Sequence, residues 1–144
     1  MRMIVLLGLA LGATQAFASA DGDALKQAGL AGRWAENCSA PPAEGNWYDR
    51  YDVASDGKVT ETLYNKADDT SRVSAIYGVH ILSPERVGYS MRDGDGEVLD
   101  LVIQIEGKRH RTWSSRGADG KFYINYGKLV SDGSEGTWFN KCAD

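Results

Sequence analysis

The sequence has few of the residues on which most enzymes and metal sites depend. It contains two histidines and two cysteines in 144 residues, and neither pair has the spacing of a recognised metal site. A Gly-x-Ser-x-Gly nucleophile motif is also missing. These absences favour a binding protein over an enzyme, and they predict neither a metal ion nor a cofactor.

Positive charge and long apolar runs are scarce as well. Twenty acidic residues outnumber sixteen lysines and arginines, which gives a net charge of -4. A chain this acidic is a poor ligand for the phosphates of nucleic acids. After residue 20, no segment is long and apolar enough to cross a bilayer. The composition therefore predicts neither a nucleic-acid partner nor a membrane span.

Residues 1–20 have the pattern of an export signal. A short cationic start precedes an apolar stretch, and Ala16-Phe17-Ala18 and Ala18-Ser19-Ala20 are small-residue cleavage sites. We favour cleavage after Ala20 because the next residues are hydrophilic. The expectation is a signal peptide over 1–20, one domain over 21–144 with a net charge of about -5, and a periplasmic or secreted location.

The two cysteines, Cys38 and Cys142, lie early and late in the expected mature part. Export would bring them into an oxidising compartment, so we predict that they pair. We favour this bridge over two free thiols or metal ligands. A loop of about 104 residues would be closed, for which chain entropy gives an upper value of roughly 4 to 5 kcal/mol.

From residue 31 onward, apolar and polar residues alternate in runs that are broken by an acidic residue followed by glycine. Such pairs supply the positive φ that tight hairpins require. The breaks lie at 55–58, 93–96, 106–108, 118–121 and 132–134. They separate predicted strands near 31–37, 46–54, 58–65, 71–82, 86–92, 97–106, 108–115, 121–130 and 136–141.

A meander of this length predicts an all-β protein. Our first choice is an up-and-down antiparallel barrel of about eight strands, because closure removes exposed strand edges, and an open sandwich is the second. Before the first strand, residues 23–30 predict a short amphipathic helix with Asp23 as its N-cap and Gly29 near its end. We expect this helix either to cover one end of the barrel or to be a frayed terminus.

The segment Leu30-Ala31-Gly32-Arg33-Trp34 places a Gly-x-Trp motif at the start of the first predicted strand. This motif resembles the opening motif of lipocalins and of the wider calycin group. The resemblance implies that Trp34 closes the barrel floor and that a late basic residue packs across it. Arg109, Arg111 and Lys141 are the candidates for that basic residue.

Aromatic residues occur on most of the predicted strands, and some of them must point into a barrel, where they suit a flat or amphipathic ligand. Alternation fixes which residues share a face within a strand, but not which face is inside. The predicted inward, ligand-binding aromatics are Tyr51, Tyr77, Tyr89, Trp113 and Tyr126.

A basic run over 108–116 stands out in this acidic chain. Alternation puts Arg109, Arg111 and Trp113 on one face, where the two arginines could hold the carboxylate or phosphate head group of a ligand. The alternative is a solvated strand face whose arginines pair with acidic neighbours.

The leading functional hypothesis is an exported barrel that binds a small apolar or amphipathic ligand. The alternative is a secreted protein-binding module, such as a protease or lysozyme inhibitor, that binds through the loop 38–45, which Pro41-Pro42 stiffens. A third class is an enzyme that uses a buried carboxylate such as Asp49 or Asp100.

Overall fold

The computed structural model describes residues 18–66 and 72–143 and contains, within these ranges, one helix and ten strands. The cationic start and the apolar stretch of the expected signal peptide lie outside the described residues. The elements are α1 (Ala18–Gln27), β1 (Gly32–Ala35), β2 (Tyr48–Val53), β3 (Val59–Tyr64), β4 (Val73–Ser83), β5 (Arg86–Arg92), β6 (Val98–Glu106), β7 (Arg109–Gly117), β8 (Phe122–Asn125), β9 (Lys128–Leu129) and β10 (Phe139–Lys141).

Eight of these strands close into an antiparallel barrel. Strands β1 to β7 pair one after another, and β10 pairs with both β1 and β7. The closing registers are Trp34 opposite Lys141 and Phe139 opposite His110. Strands β8 and β9 extend from β7 outside this ring. The predicted up-and-down barrel of about eight strands is thus confirmed, and the open sandwich is excluded.

The single strand predicted over 121–130 is wrong. The chain reverses at Tyr126 and Gly127, so that Asn125 of β8 pairs with Lys128 of β9. Both turn residues have a positive φ, 52° for Tyr126 and 73° for Gly127, as a two-residue hairpin of this kind requires. The first position of such a turn is usually asparagine, aspartate or glycine. Because Tyr126 occupies that position here, the sequence pattern did not reveal the turn.

The predicted turns with an acidic residue before glycine are confirmed. The glycine of each has a positive φ between 60° and 85°. In several of these turns the acidic side chain also braces the backbone: Asp56 Oδ1 accepts a hydrogen bond from the Lys58 N–H at 3.1 Å, and Asp119 Oδ1 accepts one from the Lys121 N–H at 3.0 Å. These glycines are Gly57, Gly96, Gly107, Gly120 and Gly133.

The N-terminal helix is confirmed, but its start is not at Asp23, which lies inside α1. Asp21 instead anchors the helix to β4, because its carboxylate accepts the N–H groups of Gly78 at 3.1 Å and Val79 at 2.8 Å. Gly29, with a φ of 75°, ends the helix as predicted. None of the helices in the described ranges has both the length and the apolar character to cross a membrane.

Trp34 is buried in the barrel core together with Leu25 of α1. Its side chain is 1% exposed, and its indole N–H donates to the Leu30 carbonyl at 2.8 Å. The Lys141 ammonium lies 4.4 Å from the centre of the Trp34 ring and donates to the Ala31 carbonyl. Of the three candidate basic residues, Lys141 is therefore the one that packs across Trp34. The buried residues of this core are Leu25, Leu30, Trp34, Tyr51, Val59, Ile76, Val87, Tyr89, Leu101 and Ile103.

The predicted disulfide is confirmed. Cys38 and Cys142 are bonded, with their Cα atoms 5.4 Å apart across a separation of 104 residues. Cys142 directly follows β10, the strand that completes the barrel, and Cys38 lies in the loop after β1. The bond therefore ties together the two ends of the barrel sheet.

Candidate functional site

A pocket of about 620 Å³ opens at the end of the barrel opposite α1. The β8–β9 hairpin forms one of its walls because it extends from β7 beyond the ring of eight strands. Apolar atoms make up most of its lining surface, and eight of its lining residues have apolar or aromatic side chains, which suits a small apolar molecule. These apolar lining residues are Trp47, Leu63, Phe122, Tyr123, Ile124, Leu129, Val130 and Phe139.

The floor of the pocket is polar. Asp49 of β2, Glu61 of β3 and His110 of β7 line it from three strands. Each occupies an inward position of its strand: Asp49 lies opposite Trp34, and His110 lies opposite Phe139. On β3, Glu61 lies between the inward residues Val59 and Leu63. Closure of the barrel thus brings together three ionisable side chains that are distant in sequence.

Two tyrosines support this floor from within the barrel. The Tyr51 hydroxyl donates to Glu61 Oε1 at 3.3 Å and lies 3.1 Å from the Tyr89 hydroxyl. Both tyrosines are 2% exposed. One oxygen of Glu61 is therefore held in place by a buried hydrogen-bonded pair.

His110 is fixed by aromatic packing. Its ring meets Trp34 edge-on at 4.6 Å and stacks on Phe139 at 5.4 Å between centroids. Its Nε2 lies 3.4 Å from Asp49 Oδ2, without the geometry of a hydrogen bond. The imidazole is consequently oriented by contacts with rings and not by a polar partner.

Four buried polar atoms at the floor have no hydrogen-bond partner within residues 18–66 and 72–143: Asp49 Oδ1, Glu61 Oε2, and both ring nitrogens of His110. Leaving such a group buried and unsatisfied costs about 1–3 kcal/mol each. Buried polar groups in native proteins are satisfied in the great majority of cases. A molecule that enters the pocket, whether water or a larger ligand, can satisfy these groups.

Burial shifts the ionisation of the whole cluster. Burial, reinforced by the charge of Glu61, raises the pKa of Asp49 well above its usual range. Burial raises the pKa of Glu61 to about 6, and burial with the nearby Lys141 charge lowers the pKa of His110 to about 3. Burial is also the main reason that the pKa values of Tyr51 and Tyr89 are raised. At neutral pH, His110 is neutral, and burial makes Asp49 hold its proton more strongly than an exposed aspartate does.

Of the five aromatics predicted to face inward, two do so. Tyr51 and Tyr89 lie inside the barrel directly below the floor residues. The inward orientation is wrong for Tyr77 and Tyr126, which are 40% and 70% exposed. Trp113 lies on the outer face of β7 because the adjacent inward position belongs to Thr112, which lines the pocket.

The prediction that Arg109, Arg111 and Trp113 share a face is confirmed, but that face is the outer one. Arg111 lies over the rings of Trp113 and Trp138, at 5.6 and 4.6 Å from their centroids, and Arg109 lies 4.2 Å from the centroid of Trp138. Their charges are paired, Arg109 with Glu106 at 2.7 Å and Arg111 with Glu135 at 2.6 Å. The alternative, a strand face paired with acidic neighbours, is therefore the one observed.

The two carboxylates considered for catalysis differ in environment. Asp49 is 3% exposed. Asp100 is exposed on the outer face, where hydrogen bonds from Ser90 and Arg116 lower its pKa. The suggestion that Asp100 is a buried carboxylate is wrong.

Sequence reasoning missed Glu61, His110, Trp47 and Arg72 as pocket residues. One signal was available for Glu61, because a charged residue that alternates with Val59 and Leu63 occupies an apolar face. His110 had no comparable signal, since its neighbours in the basic run point outward. Arg72, whose guanidinium lies 4.9 Å from the Trp47 ring, is placed by the connection between β3 and β4.

Within the described residues, no group of three or more histidine, cysteine, aspartate or glutamate side chains is arranged to hold a metal ion. Comparison of the chain with protein-family models, with curated proteins and with solved structures found no match. The fold and the pocket define the protein as a closed antiparallel β-barrel with an open, mostly apolar cavity at one end.

Proposed function

We propose that this protein binds one small, mostly apolar ligand in the pocket above Asp49, Glu61 and His110. The observation that carries the proposal is the pocket itself, with apolar walls and a floor of buried polar atoms that lack partners. Apolar walls supply affinity through the area they bury, and a few polar groups fix the ligand's orientation. The side chains at the floor are held by packing before any ligand arrives, which lowers the entropic cost of binding.

A relationship to lipocalins and calycins is part of this proposal. Three features support it: a closed eight-stranded barrel, a helix before the first strand, and the Gly-x-Trp tryptophan under a late basic residue, Lys141. An exported location, periplasmic or secreted, is likewise proposed. The disulfide supports it because thiols in the cytosol are kept reduced.

The first test is native mass spectrometry of the mature protein purified from its own host without denaturation. We expect an additional mass that is released on unfolding. Binding of the uncharged fluorophore Nile red to the ligand-free protein is the second measurement. Thr112→Phe, which fills the pocket from β7, should reduce Nile red affinity at least about ten-fold.

Ser114→Phe is the matched control, because a bulge in β7 after Thr112 places Ser114 opposite Val102 on the outer face, where it lines a different surface groove. It should leave Nile red affinity within about two-fold. If Nile red binds both variants and the wild type equally well, the pocket is not the binding site.

The protein-binding alternative has one supporting observation of its own, the bracing of the loop 38–45. The Asn46 side chain donates to the carbonyls of Ala40 and Pro41 at 3.2 and 3.0 Å, and the Tyr48 hydroxyl donates to Ala40 at 2.7 Å. A loop held in this way suits binding to a protein partner, because little entropy is lost on docking.

Inhibition assays against lysozyme and a panel of serine proteases test this alternative. If the loop is the binding element, the double change Pro41→Gly and Pro42→Gly should weaken inhibition at least about five-fold. Pro84→Gly, in the exposed turn between β4 and β5, should have no effect. Absence of inhibition by the wild type would remove the alternative for these targets.

A further inference from the structure

The lining of the pocket has an unequal charge distribution. Its acidic residues are Glu36 at the rim and Asp49 and Glu61 at the floor, and its one permanently charged base among the described residues is Arg72. Arg72 lies at the rim, over the Trp47 ring. An anionic ligand end that reached the floor would therefore meet two carboxyl groups with no arginine or lysine among the residues that line it.

The unpartnered atoms at this floor are mainly acceptors. Asp49 Oδ1 and Glu61 Oε2 are carboxyl oxygens without a donor, on adjacent strands β2 and β3. The second oxygen of Glu61 already accepts the Tyr51 hydroxyl. A ligand group with several N–H donors would satisfy both free oxygens at once, which a single hydroxyl or a carbonyl could not do.

We propose that the polar end of the ligand is a protonated amine, which donates hydrogen bonds to Asp49 Oδ1 and Glu61 Oε2 at the floor of the pocket. This inference rests on the proposed function and names the chemical class of its ligand, an amphipathic amine. The apolar body of the amine lies against the walls formed by Leu63, Phe139 and the β8–β9 hairpin. Charge-assisted N–H to carboxylate bonds are stronger than neutral ones.

Binding of an amine must be coupled to loss of protons from the carboxyl pair. The pKa of Glu61 is about 6 and that of Asp49 is raised, so the fraction of the pair that still carries a proton must release it to the solvent when a cation binds. The other titratable groups that face the pair are Tyr51, Tyr89 and His110, with Lys141 beyond His110. His110 and the two tyrosines stay neutral through this range, and affinity for the amine should rise with pH through about 6.

The experiment compares four probes of equal chain length, octylamine, octan-1-ol, octan-2-one and octanoate, by isothermal titration calorimetry on the mature, disulfide-bonded protein at pH 7.5. We expect octylamine to bind at least about ten-fold more tightly than each of the others. At pH 6, its binding should release protons, measured as a dependence of the binding enthalpy on the ionisation enthalpy of the buffer.

Two variants then localise the preference. Glu61→Gln and Asp49→Asn should each reduce octylamine affinity about ten-fold or more and leave octanol affinity within about two-fold. Glu85→Gln and Asp52→Asn are the matched controls, since both side chains lie on the outside of the barrel and Asp52 shares β2 with Asp49. The comparison of the four probes on the wild type does not depend on whether either variant folds.

The outcomes separate the two proposals. If octanol, octanone or octanoate binds as well as octylamine or better, and Thr112→Phe abolishes that binding, the pocket stands and the amine proposal is overturned. If none of the four probes binds, the proposed function fails for ligands of this size, and the amine proposal fails with it. Octylamine binding that Glu85→Gln weakens as much as Glu61→Gln would also refute the amine site.

Discussion

Strand β7 presents two very different polar faces. Its outer face carries Arg109, Arg111 and Trp113, and its inner face carries His110 and Thr112. Outside, both arginines are paired with glutamates and lie over tryptophan rings. Inside, the imidazole of His110 has no hydrogen-bond partner in the described part of the chain. Consecutive residues of one basic run therefore lie in two different environments. The arginines are paired with glutamates on the outer surface, whereas His110 lines the pocket.

This contrast shows that the abundance of charge was a poor guide to the site. Water screens the outer charges, and ion pairs of this kind typically contribute about 0–1 kcal/mol. The inner groups are few, but they have lost water without gaining partners, and this changes their ionisation. We therefore expect substitutions on the inner face to have large, pH-dependent effects and substitutions on the outer face to have small ones.

The largest effect is expected for His110→Phe. With a pKa of about 3 in the folded state against an ordinary value of 6.5, His110 is protonated first in the unfolded chain, so stability is lost as pH falls from about 6.5 to 3. Between pH 7 and pH 4 this loss is on the order of 3 kcal/mol. Phenylalanine keeps the packing and should remove most of it.

Urea denaturation of the variant and the wild type at pH 7 and pH 4 measures this effect. His80→Phe is the control because His80 is exposed on the barrel surface, and its acid destabilisation should match that of the wild type. If His110→Phe and the wild type lose the same amount of stability between pH 7 and pH 4, protonation of His110 is not the cause of the acid destabilisation.

Glu61→Gln should act in the opposite pH direction. The folded pKa of Glu61, about 6, lies above its ordinary 4.5, so its contribution to stability is complete below pH 4.5 and is lost as pH rises through 6. We expect the variant to be more stable than the wild type at pH 8 by about 1–2 kcal/mol. The gain is limited because Glu61 lines an open pocket, and water that enters it lowers the cost of the buried charge. Chemical denaturation at pH 8 and pH 4.5 tests this, with Glu85→Gln as an inert control.

Tyr126→Asn examines strain on the outer side. Tyr126 has a φ of 52° in the turn between β8 and β9, a conformation that asparagine adopts more readily than tyrosine. We expect thermal denaturation to show a free energy of unfolding that is higher by about 0.5–1 kcal/mol. Loss of the contact between the rings of Tyr126 and Trp113 reduces this gain. Tyr77→Asn, at an exposed strand position, should give no gain.

The smallest effect is expected for Glu135→Gln, which removes the acidic partner of Arg111. Glu135 is 63% exposed, so the change should cost less than about 0.5 kcal/mol and should vanish in 1 M salt. Nile red binding should be unchanged, as it should be in Trp113→Ala. A marked loss of Nile red binding in either variant would indicate that the ligand binds at the outer face of β7 and not in the pocket.

Much of the fold could be predicted because its signals are local. The turn glycines after acidic residues bounded most strands to within a few residues, and β5 was predicted with its observed bounds, 86–92. The hairpin at Tyr126 was missed because its turn begins with a bulky residue. The role of Asp21 was missed because its partners, Gly78 and Val79, lie on a distant strand.

The candidate site was predicted only in part. Tyr51 and Tyr89 were placed inside correctly, and Asp49 was considered as a buried carboxylate. Glu61 and His110 were not identified as site residues, because Glu61 is a single carboxylate in β3 and His110 lies among the arginines of the basic run in β7. Their significance comes from being neighbours, and β3 and β7 become neighbours of one cavity only when the barrel closes.

By itself, the sequence determined the meander, its turns with an acidic residue before glycine and the pairing of its two cysteines, since alternation, turn chemistry and a single pair of thiols leave little choice. Tertiary structure alone decided which face of each strand is inside and which strands share the pocket. The physical reason is that alternation fixes parity within a strand but carries no information on the direction of the core. That direction was set when β10 paired with both β1 and β7, which placed Asp49, Glu61 and His110 around a single cavity.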